Sequence, residues 1–295
     1  EHDPSFKQHQ PAPRYHARDS AIYLANLHNA KVLLGSATPC VESYFNAKTG
    51  KYALVEMFTR FSGIALPKIQ TIDIRKAHLK KQMTKQFAPK MLSSIVETLE
   101  SGKQVILFQN RRGYSPVLSC GTCAHTPNCN SCDVSLTYHK WNNHLKCHYC
   151  GYTEQVPDFC TSCSAKDFSD KGFGTEQIEE SLRELLPTYV TKRMDYDTTR
   201  GKNAHQQIIT DFEQGRIDVL VGTQMVTKGL DFDNVALVGI LNADSMLHFP
   251  DFRAYERAFQ LMIQVAGRAG RKGQRGQVLI QTYDEDHDLF GLIKS

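Results

Sequence analysis

The sequence predicts an α/β protein built on a parallel sheet and interrupted by a cysteine-rich, metal-binding insertion. Three observations carry this. Short apolar runs alternate with stretches of helical periodicity, the pattern of strands covered on both faces by helices. Eight of the nine cysteines fall into four C-x-x-C pairs: Cys120/Cys123, Cys129/Cys132, Cys147/Cys150 and Cys160/Cys163. The stretch that holds them, 113–172, is poor in apolar residues and rich in Cys, His, Asn, Ser and Thr. Such a stretch cannot build an oily core, so ligated metal must supply its stability.

The elements follow in chain order. Residues 18–29 carry Ile22, Leu24, Ala25 and Leu27, which fits a short amphipathic helix. Lys31-Val32-Leu33-Leu34, ending at Gly35, reads as a buried strand. Met91, Leu92, Ile95, Val96 and Leu99 predict a helix over 86–101, with Gly102 just beyond its end. Val105 to Phe108 is a second buried strand. Beyond the cysteines, Ile178, Leu182, Leu185 and Leu186 line one face of a helix over 175–186, stopped by Pro187. Tyr189–Met194 reads as a strand, and 203–214 as a helix with Ile208, Ile209 and Phe212 inward. Asp218 to Val221 is a strand ending in Gly222-Thr223. Val235 to Leu241 is a continuous apolar strand, 253–266 a helix, and Gln277 to Gln281 the last strand. The cysteine block is therefore an insertion inside one α/β domain, and no internal repeat is visible.

The chain has 295 residues, 41% hydrophobic and 22% charged, with a net charge of +4. That is globular composition with a mild basic excess, which permits a polyanionic partner. No apolar run approaches the ~20 residues of a membrane span, so no membrane partner is predicted. Glu1-His2-Asp3-Pro4-Ser5 offers neither the basic start nor the apolar stretch of an export signal, which predicts a cytoplasmic protein. A secreted disulfide framework would need that signal, so the four pairs read as two tetrahedral metal sites. Four thiolates suit zinc; rubredoxin-like iron shares the spacing. The pairs can combine in three ways, and spacing alone does not choose among them. His125, His139, His144 and His148 read as surface or supporting residues rather than ligands.

Three loops, each assigned to the C-terminal end of a predicted strand, complete the pattern. They are Gly35-Ser36-Ala37-Thr38-Pro39, the run from Gly222 to Asp231, and the run from Gln264 to Arg271. Small residues let a backbone approach a phosphate. Two arginines three apart can both reach one anion.

In order, G-S-A-T-P, G-T-Q-M-V-T-K-G-L-D-F and Q-V-A-G-R-A-G-R resemble motifs III, V and VI of the superfamily 2 helicases, the last being the more specific. Arg111-Arg112-Gly113-Tyr114 before the cysteines and Gly172-Phe173-Gly174-Thr175-Glu176 after them narrow the resemblance to the bacterial replication-restart helicases, over residues 1 to about 285. Glu1-His2-Asp3 resembles the tail of a D-E-E-H Walker B motif, and residues 3–19 resemble an aromatic-rich loop that senses single-stranded DNA.

The resemblance implies RecA-like lobes. Residues 1–65 would be the C-terminal part of lobe one, with the end of Walker B, the aromatic-rich loop and motif III. Residues 66–112 would open lobe two, 113–172 would be the zinc insertion, and 173–285 the remainder of lobe two with motifs V and VI. Residues 286–295 would start a C-terminal domain. The activity implied is an ATP-dependent 3′→5′ DNA helicase that acts at stalled or collapsed replication forks and initiates primosome assembly. Arg268, Arg271 and Gln264 would serve catalysis at the γ-phosphate. Gly229 and Asp231 would contact the nucleotide, and Ser36 and Thr38 would link its state to lobe closure. Phe6, Lys7, Tyr15, Arg18, Thr223, Gln224 and Lys228 would meet DNA. The family's zinc sites are nested, with Cys120, Cys123, Cys160 and Cys163 on one ion and Cys129, Cys132, Cys147 and Cys150 on the other. Cofactors implied are two zinc ions per chain and ATP with Mg²⁺. Partners implied are single-stranded and forked DNA, primosome proteins, the single-stranded-DNA-binding protein, and the replicative helicase with its loader, the protein acting as a monomer. The sequence departs from the family in lacking G-x-x-x-x-G-K-[ST], the N-terminal DNA-binding domains and most of the C-terminal domain. It therefore reads as a fragment, inactive by itself. The alternative is a non-catalytic zinc-bearing module that binds nucleic acid or protein.

Overall fold

The computed structural model describes residues 1–8, 10–59, 65–110, 117–123, 125–139, 142–166, 168–169, 174–195, 198–199, 201, 203–227, 232–270 and 275–294. The chain divides into two units, Glu1–Thr59 and Arg60–Ser295.

In the first unit, β1 (Lys7–Gln8) and β2 (Tyr15–His16) form a two-residue antiparallel ladder. Two helices follow, α1 (Ala17–Leu27) and α2 (Val41–Lys48). The predicted strand at Lys31–Leu34 is not formed: residues 30–36 carry no helix or strand, and Leu33 is 94% exposed. An apolar run becomes a parallel strand only where a ladder partner takes its N–H and C=O groups. The described part of this unit supplies none there. The helix predicted over 18–29 does form, yet no residue of α1 is buried.

The second unit is built on six parallel strands. In chain order its elements begin with β3 (Lys68–Asp73), α3 (Ile74–Leu79), α4 (Pro89–Glu100) and β4 (Gln104–Phe108). The cysteine-rich insertion follows, with β5 (Ser119–Cys120), β6 (Thr137–His139), β7 (His144–Lys146), β8 (Thr153–Gln155) and β9 (Phe168–Ser169). Then come α5 (Thr175–Leu185), β10 (Thr191–Met194), α6 (Ala204–Glu213), β11 (Val219–Gly222) and β12 (Val235–Ile240). The last elements are α7 (Asp244–Leu247), α8 (Ala254–Ala266), β13 (Gln277–Thr282) and α9 (Asp288–Lys294). The large sheet has the order β10-β11-β4-β12-β13-β3, every pair parallel. Inside the insertion, β5 pairs with β9, and β6, β7 and β8 form an antiparallel sheet.

The apolar alternation along each strand feeds two cores. On β4, Val105 and Leu107 face one layer while Ile106 and Phe108 face the other. The first layer is closed by Met91 and Ile95 of α4 with Ile178 and Leu182 of α5. The second is closed by Phe212 of α6, Met262 and Val265 of α8, and Phe290 of α9. All five residues of β4 are buried, as a central parallel strand requires. Contact between α4 and the sheet depends on Gly239 of β12. A Cβ there would lie 2.7 Å from Leu107 Cδ2 and 2.9 Å from the Met91 sulfur.

The helices and strands predicted beyond residue 85 are all present, with ends shifted by a few residues. The edge strand β3, the short helices α3 and α7, and α2 and α9 carry no comparable signal in the sequence.

Candidate functional site

The cysteine-rich insertion leaves the sheet at the C-terminal end of β4. Each C-x-x-C pair sits in the same kind of turn. The N–H of the first cysteine donates to the carbonyl five residues on: Cys120 to His125 at 2.9 Å, Cys129 to Val134 at 2.9 Å, Cys147 to Tyr152 at 2.8 Å and Cys160 to Ala165 at 2.8 Å. Gly151 and Ser164, each four residues after the first cysteine of its pair, both adopt positive φ, +78° and +60°. Further N–H groups point at sulfur, from Tyr149 to Cys147 Sγ and from Ser162 to Cys160 Sγ, each at 3.4 Å. The fourfold recurrence is the internal repeat that the sequence hides, because only the cysteines themselves recur.

These turns assemble in nested fashion. Cys120, Cys123, Cys160 and Cys163 converge, as do Cys129, Cys132, Cys147 and Cys150, with the sulfurs of each set within 4.8 Å of one another. Cys120–Cys163 is 3.5 Å, Cys123–Cys160 3.6 Å and Cys129–Cys150 3.6 Å between sulfurs. Four sulfurs placed ~2.3 Å from one ion at tetrahedral angles would stand ~3.8 Å apart, so each set fits a zinc ion. All nine cysteines are outside disulfides. Burial alone would push the Cys147 thiol up, but the N–H groups of Cys150 and Tyr149 hold it down to about 7. At Cys160 burial is likewise overcome by the N–H groups of Cys163 and Ser162, again to about 7. Burial and the neighbouring thiols push Cys132 up to about 12. A cation is what would hold all four of a set as thiolates together.

The nearby histidines stand outside both sets. His125 Nε2 meets Thr161 Oγ1 at 2.9 Å, His144 Nδ1 contacts the carbonyl of Asn142, and the His139 and His148 rings lie 5.5 Å apart.

The module also touches the lobe that carries it. Tyr149, between Cys147 and Cys150, meets Phe252 edge to face at 6.2 Å, and the Phe252 N–H reaches the Tyr149 hydroxyl at 3.4 Å. Arg253 lies over the other part of this contact, its guanidinium 5.1 Å from the Phe252 ring. Phe252 lies two residues before α8, next to its N-cap Arg253.

Thr223 and Gln224 lie at the C-terminal edge of the sheet, after β11. Thr223 is buried, and Gln224 Nε2 donates to Asn110 Oδ1 at 3.4 Å. The same edge carries Asp195 after β10 and Asp244 after β12. Asp195 accepts from Thr175 Oγ1 at 2.6 Å and from the Thr198 N–H at 3.0 Å. Asp244 accepts from Thr282 Oγ1 at 3.0 Å and from the Tyr283 N–H at 3.1 Å.

Gln264 and Arg268 are elsewhere. Gln264 is in the last turn of α8 and Arg268 lies just past its end. Two residues later the Gly270 N–H donates to the carbonyl of Val235, where β12 begins. Assigning this run to the C-terminal edge of the sheet is therefore corrected. A helix after a parallel strand runs back antiparallel, so its end returns to the N-terminal edge, ~16 Å away over a five-residue strand. Gly270 has φ +72°, and a Cβ on Gly276 would lie 2.3 Å from the Gly270 nitrogen. Both glycines are needed for this close crossing. Lys228, Gly229, Asp231 and Arg271 lie outside the described residues, as do Arg111 to Tyr114 and Gly172-Phe173.

In the first unit, Ser36 Oγ accepts from the Thr38 N–H at 3.0 Å and pairs with His2 Nδ1 at 2.6 Å. Thr38 is buried. Gly35 follows no strand, which corrects the placement of that loop too. Phe6, just before the two-residue ladder, and Tyr15, within it, are exposed, 44% and 48%, as is Lys7 of the same ladder. Arg18 is not exposed in this way. Its side chain is 13% accessible and pairs with Glu1 and Asp19. Sequence reasoning missed the partners of Arg18 because Glu1, Cys40 and Ser43 are distant along the chain and carry no motif.

Comparison with known proteins bears on the two cysteine sets and on the lobe. Residues 129–155 match the family described as the PriA DNA helicase Cys-rich region domain. Residues 154–273 match the helicase conserved C-terminal domain. The chain is 44% identical over 295 residues to the replication restart protein PriA of Bacillus subtilis, covering 100% of this chain and 36% of that protein. It is 45% identical over 289 residues to the replication restart protein PriA of Chlamydia pneumoniae, covering 97% of this chain and 39% of that protein. Among solved structures, Saccharomyces cerevisiae Dbp5 bound to RNA and ADP BeF3 aligns with a TM-score of 0.45 and 14% identity, over 94% of this chain and 52% of that chain.

Proposed function

The chain is PriA-like throughout and spans little more than a third of its relatives' length, and on that premise we propose that it serves an ATP-dependent DNA helicase of replication restart. The observation that supports this most is the joint occurrence, on one chain, of the PriA cysteine-rich region and a helicase C-terminal domain. The proposed motor moves 3′→5′ on single-stranded DNA, acts at stalled or collapsed forks and initiates primosome assembly.

In this reading ATP with Mg²⁺ is the fuel, and hydrolysis transfers its γ-phosphoryl group to water. Arg268 and Arg271 supply guanidinium groups that stabilise negative charge developing on that group, and Gln264 orients the water or the nucleotide. Gly229 and Asp231 contact the nucleotide. Ser36 and Thr38 link its state to lobe closure, for which the Ser36–His2 hydrogen bond offers a path. Phe6 and Tyr15 stack on bases, while Lys7, Lys228, Thr223 and Gln224 meet the backbone. The zinc-fitting module carries duplex separation and contacts with the primosome, the single-stranded-DNA-binding protein and the replicative helicase with its loader.

The test is a DNA-stimulated ATPase and unwinding assay on the complete gene product, with Arg268→Ala beside it. Loss of such an arginine is expected to lower turnover by ~10³-fold or more while oligonucleotide binding persists. Undiminished turnover in Arg268→Ala would remove the assigned role. A complete gene product that binds DNA but hydrolyses no ATP would leave the binding-module reading in its place.

A further inference from the structure

We propose that Arg18 is a positioning residue that ties the aromatic-rich loop to the Ser36–Thr38 motif through Glu1 and Cys40, and does not itself contact DNA. The proposal rests on the helicase reading above.

Arg18 stands in the first turn of α1, directly behind the Tyr15–His16 strand. Its Nη1 lies 3.2 Å from Glu1 Oε2, 3.3 Å from Ser43 Oγ and 2.6 Å from Cys40 Sγ, which share its two N–H groups, and its Nε donates to Asp19 Oδ1 at 2.8 Å. Glu1 is 4% exposed at its side chain, so the ion pair is largely withdrawn from water. The same carboxylate accepts from the Cys40 N–H at 2.8 Å and from the Ser43 hydroxyl at 3.0 Å. Cys40 is the N-cap position of α2 and makes no side-chain capping bond of its own. Glu1 therefore places its carboxylate at the N-terminus of α2, where the helix dipole favours an anion.

The next residue, His2, reaches Ser36 Oγ, which in turn holds the Thr38 N–H. One dipeptide thus bonds the Ser36 motif with its second residue and Arg18 and α2 with its first. A base or phosphate that displaces the β1–β2 ladder moves Ala17 and Arg18, and the guanidinium passes that displacement to Glu1. A DNA contact would instead require the guanidinium in solvent, where Phe6, Lys7 and Tyr15 already stand.

The experiment uses the complete gene product with Arg18→Ala, Arg18→Lys and Glu1→Gln. It measures affinity for a fluorescent single-stranded oligonucleotide, the salt dependence of that affinity, and ATP turnover at saturating DNA. A positioning role predicts oligonucleotide affinity within about twofold of wild type in Arg18→Ala, an unchanged salt slope, and DNA-stimulated turnover down by about tenfold or more. Glu1→Gln is expected to repeat that pattern. Arg18→Lys is expected not to restore turnover, because a point ammonium cannot span the acceptors that the planar fork reaches. The proposal is overturned if Arg18→Ala weakens binding about tenfold with a salt slope smaller by about one, and Arg18→Lys restores it. It is overturned as well if Arg18→Ala leaves stimulated turnover at the wild-type level. Should Arg18→Ala fail to fold, Arg18→Gln keeps a long polar side chain without the charge and carries the same comparison. A wild-type protein without DNA-stimulated turnover overturns the helicase reading itself, a result distinct from wild-type stimulation with contact-type variants.

Discussion

Asp195 shows how one side chain closes the C-terminal edge of the sheet. Burial works against its charge, but the Thr175 hydroxyl, the Thr198 N–H and Arg193 together hold its carboxyl below the usual carboxylate range. A carboxyl lowered in the folded state contributes stability above its ordinary pKa of ~3.9, and that contribution is lost as pH falls through the folded value. Asp195→Asn keeps the volume but removes one charged acceptor. The expected loss at pH 7 is ~1–3 kcal/mol by denaturant titration, shrinking as the pH approaches 3. An equal loss at both pH values would contradict the ionic account. Asp244 behaves in the opposite sense, since burial raises its carboxyl despite the donors from Tyr283 and Thr282.

Helix α8 runs from the contact with the cysteine module to the Gln264–Arg268 run. Its start follows Phe252, the residue against which Tyr149 of the cysteine module packs. Its end carries Gln264 and leads to Arg268. Thirteen residues at 1.5 Å each make a rod ~20 Å long between these points. Phe252→Ala removes the ring contact without touching a cysteine. The expected result is two zinc ions per chain as before, with proteolysis of the module accelerated about tenfold, consistent with a lost aromatic pair and its packing. Unchanged proteolysis would mean that the module is anchored elsewhere. The aromatic contact was not legible in the sequence, because Tyr149 and Phe252 are far apart in the chain and neither belongs to a periodic pattern.

At the scale of the whole molecule, two kinds of stability stand side by side. The six-stranded sheet is held by two apolar layers, whereas the module has a small cluster of Leu118, Val134, Leu136 and Leu145 around its cysteines. Bound metal contributes on the order of 10 kcal/mol to such sites. Removing metal with a chelator at neutral pH is therefore expected to abolish amide protection across 117–169. Protection of β4, β11, β12 and β13 should persist. Hydrogen exchange read by mass spectrometry separates the two, and a single transition covering both would contradict the division.

The sequence by itself determined the alternation of helix and strand beyond residue 85 and the presence of metal-binding pairs. Those properties are local: a buried strand or a C-x-x-C turn is written in a handful of neighbouring residues. Only the tertiary structure decided which cysteine pairs share a site, since three pairings were open on spacing alone. It also decided that Lys31–Leu34 pairs with no strand among the described residues, because pairing depends on partners far along the chain. Capping is a further case: α4 lacks a local cap, and the Ala88 N–H is met by Gln281 Oε1 of β13 at 2.7 Å. The edge of the sheet at which the Gln264–Gly270 run ends belongs to the same class. Sequence neighbours specify conformation, but which surfaces meet is settled by long-range burial and hydrogen bonding, and those partners leave no mark on the local pattern.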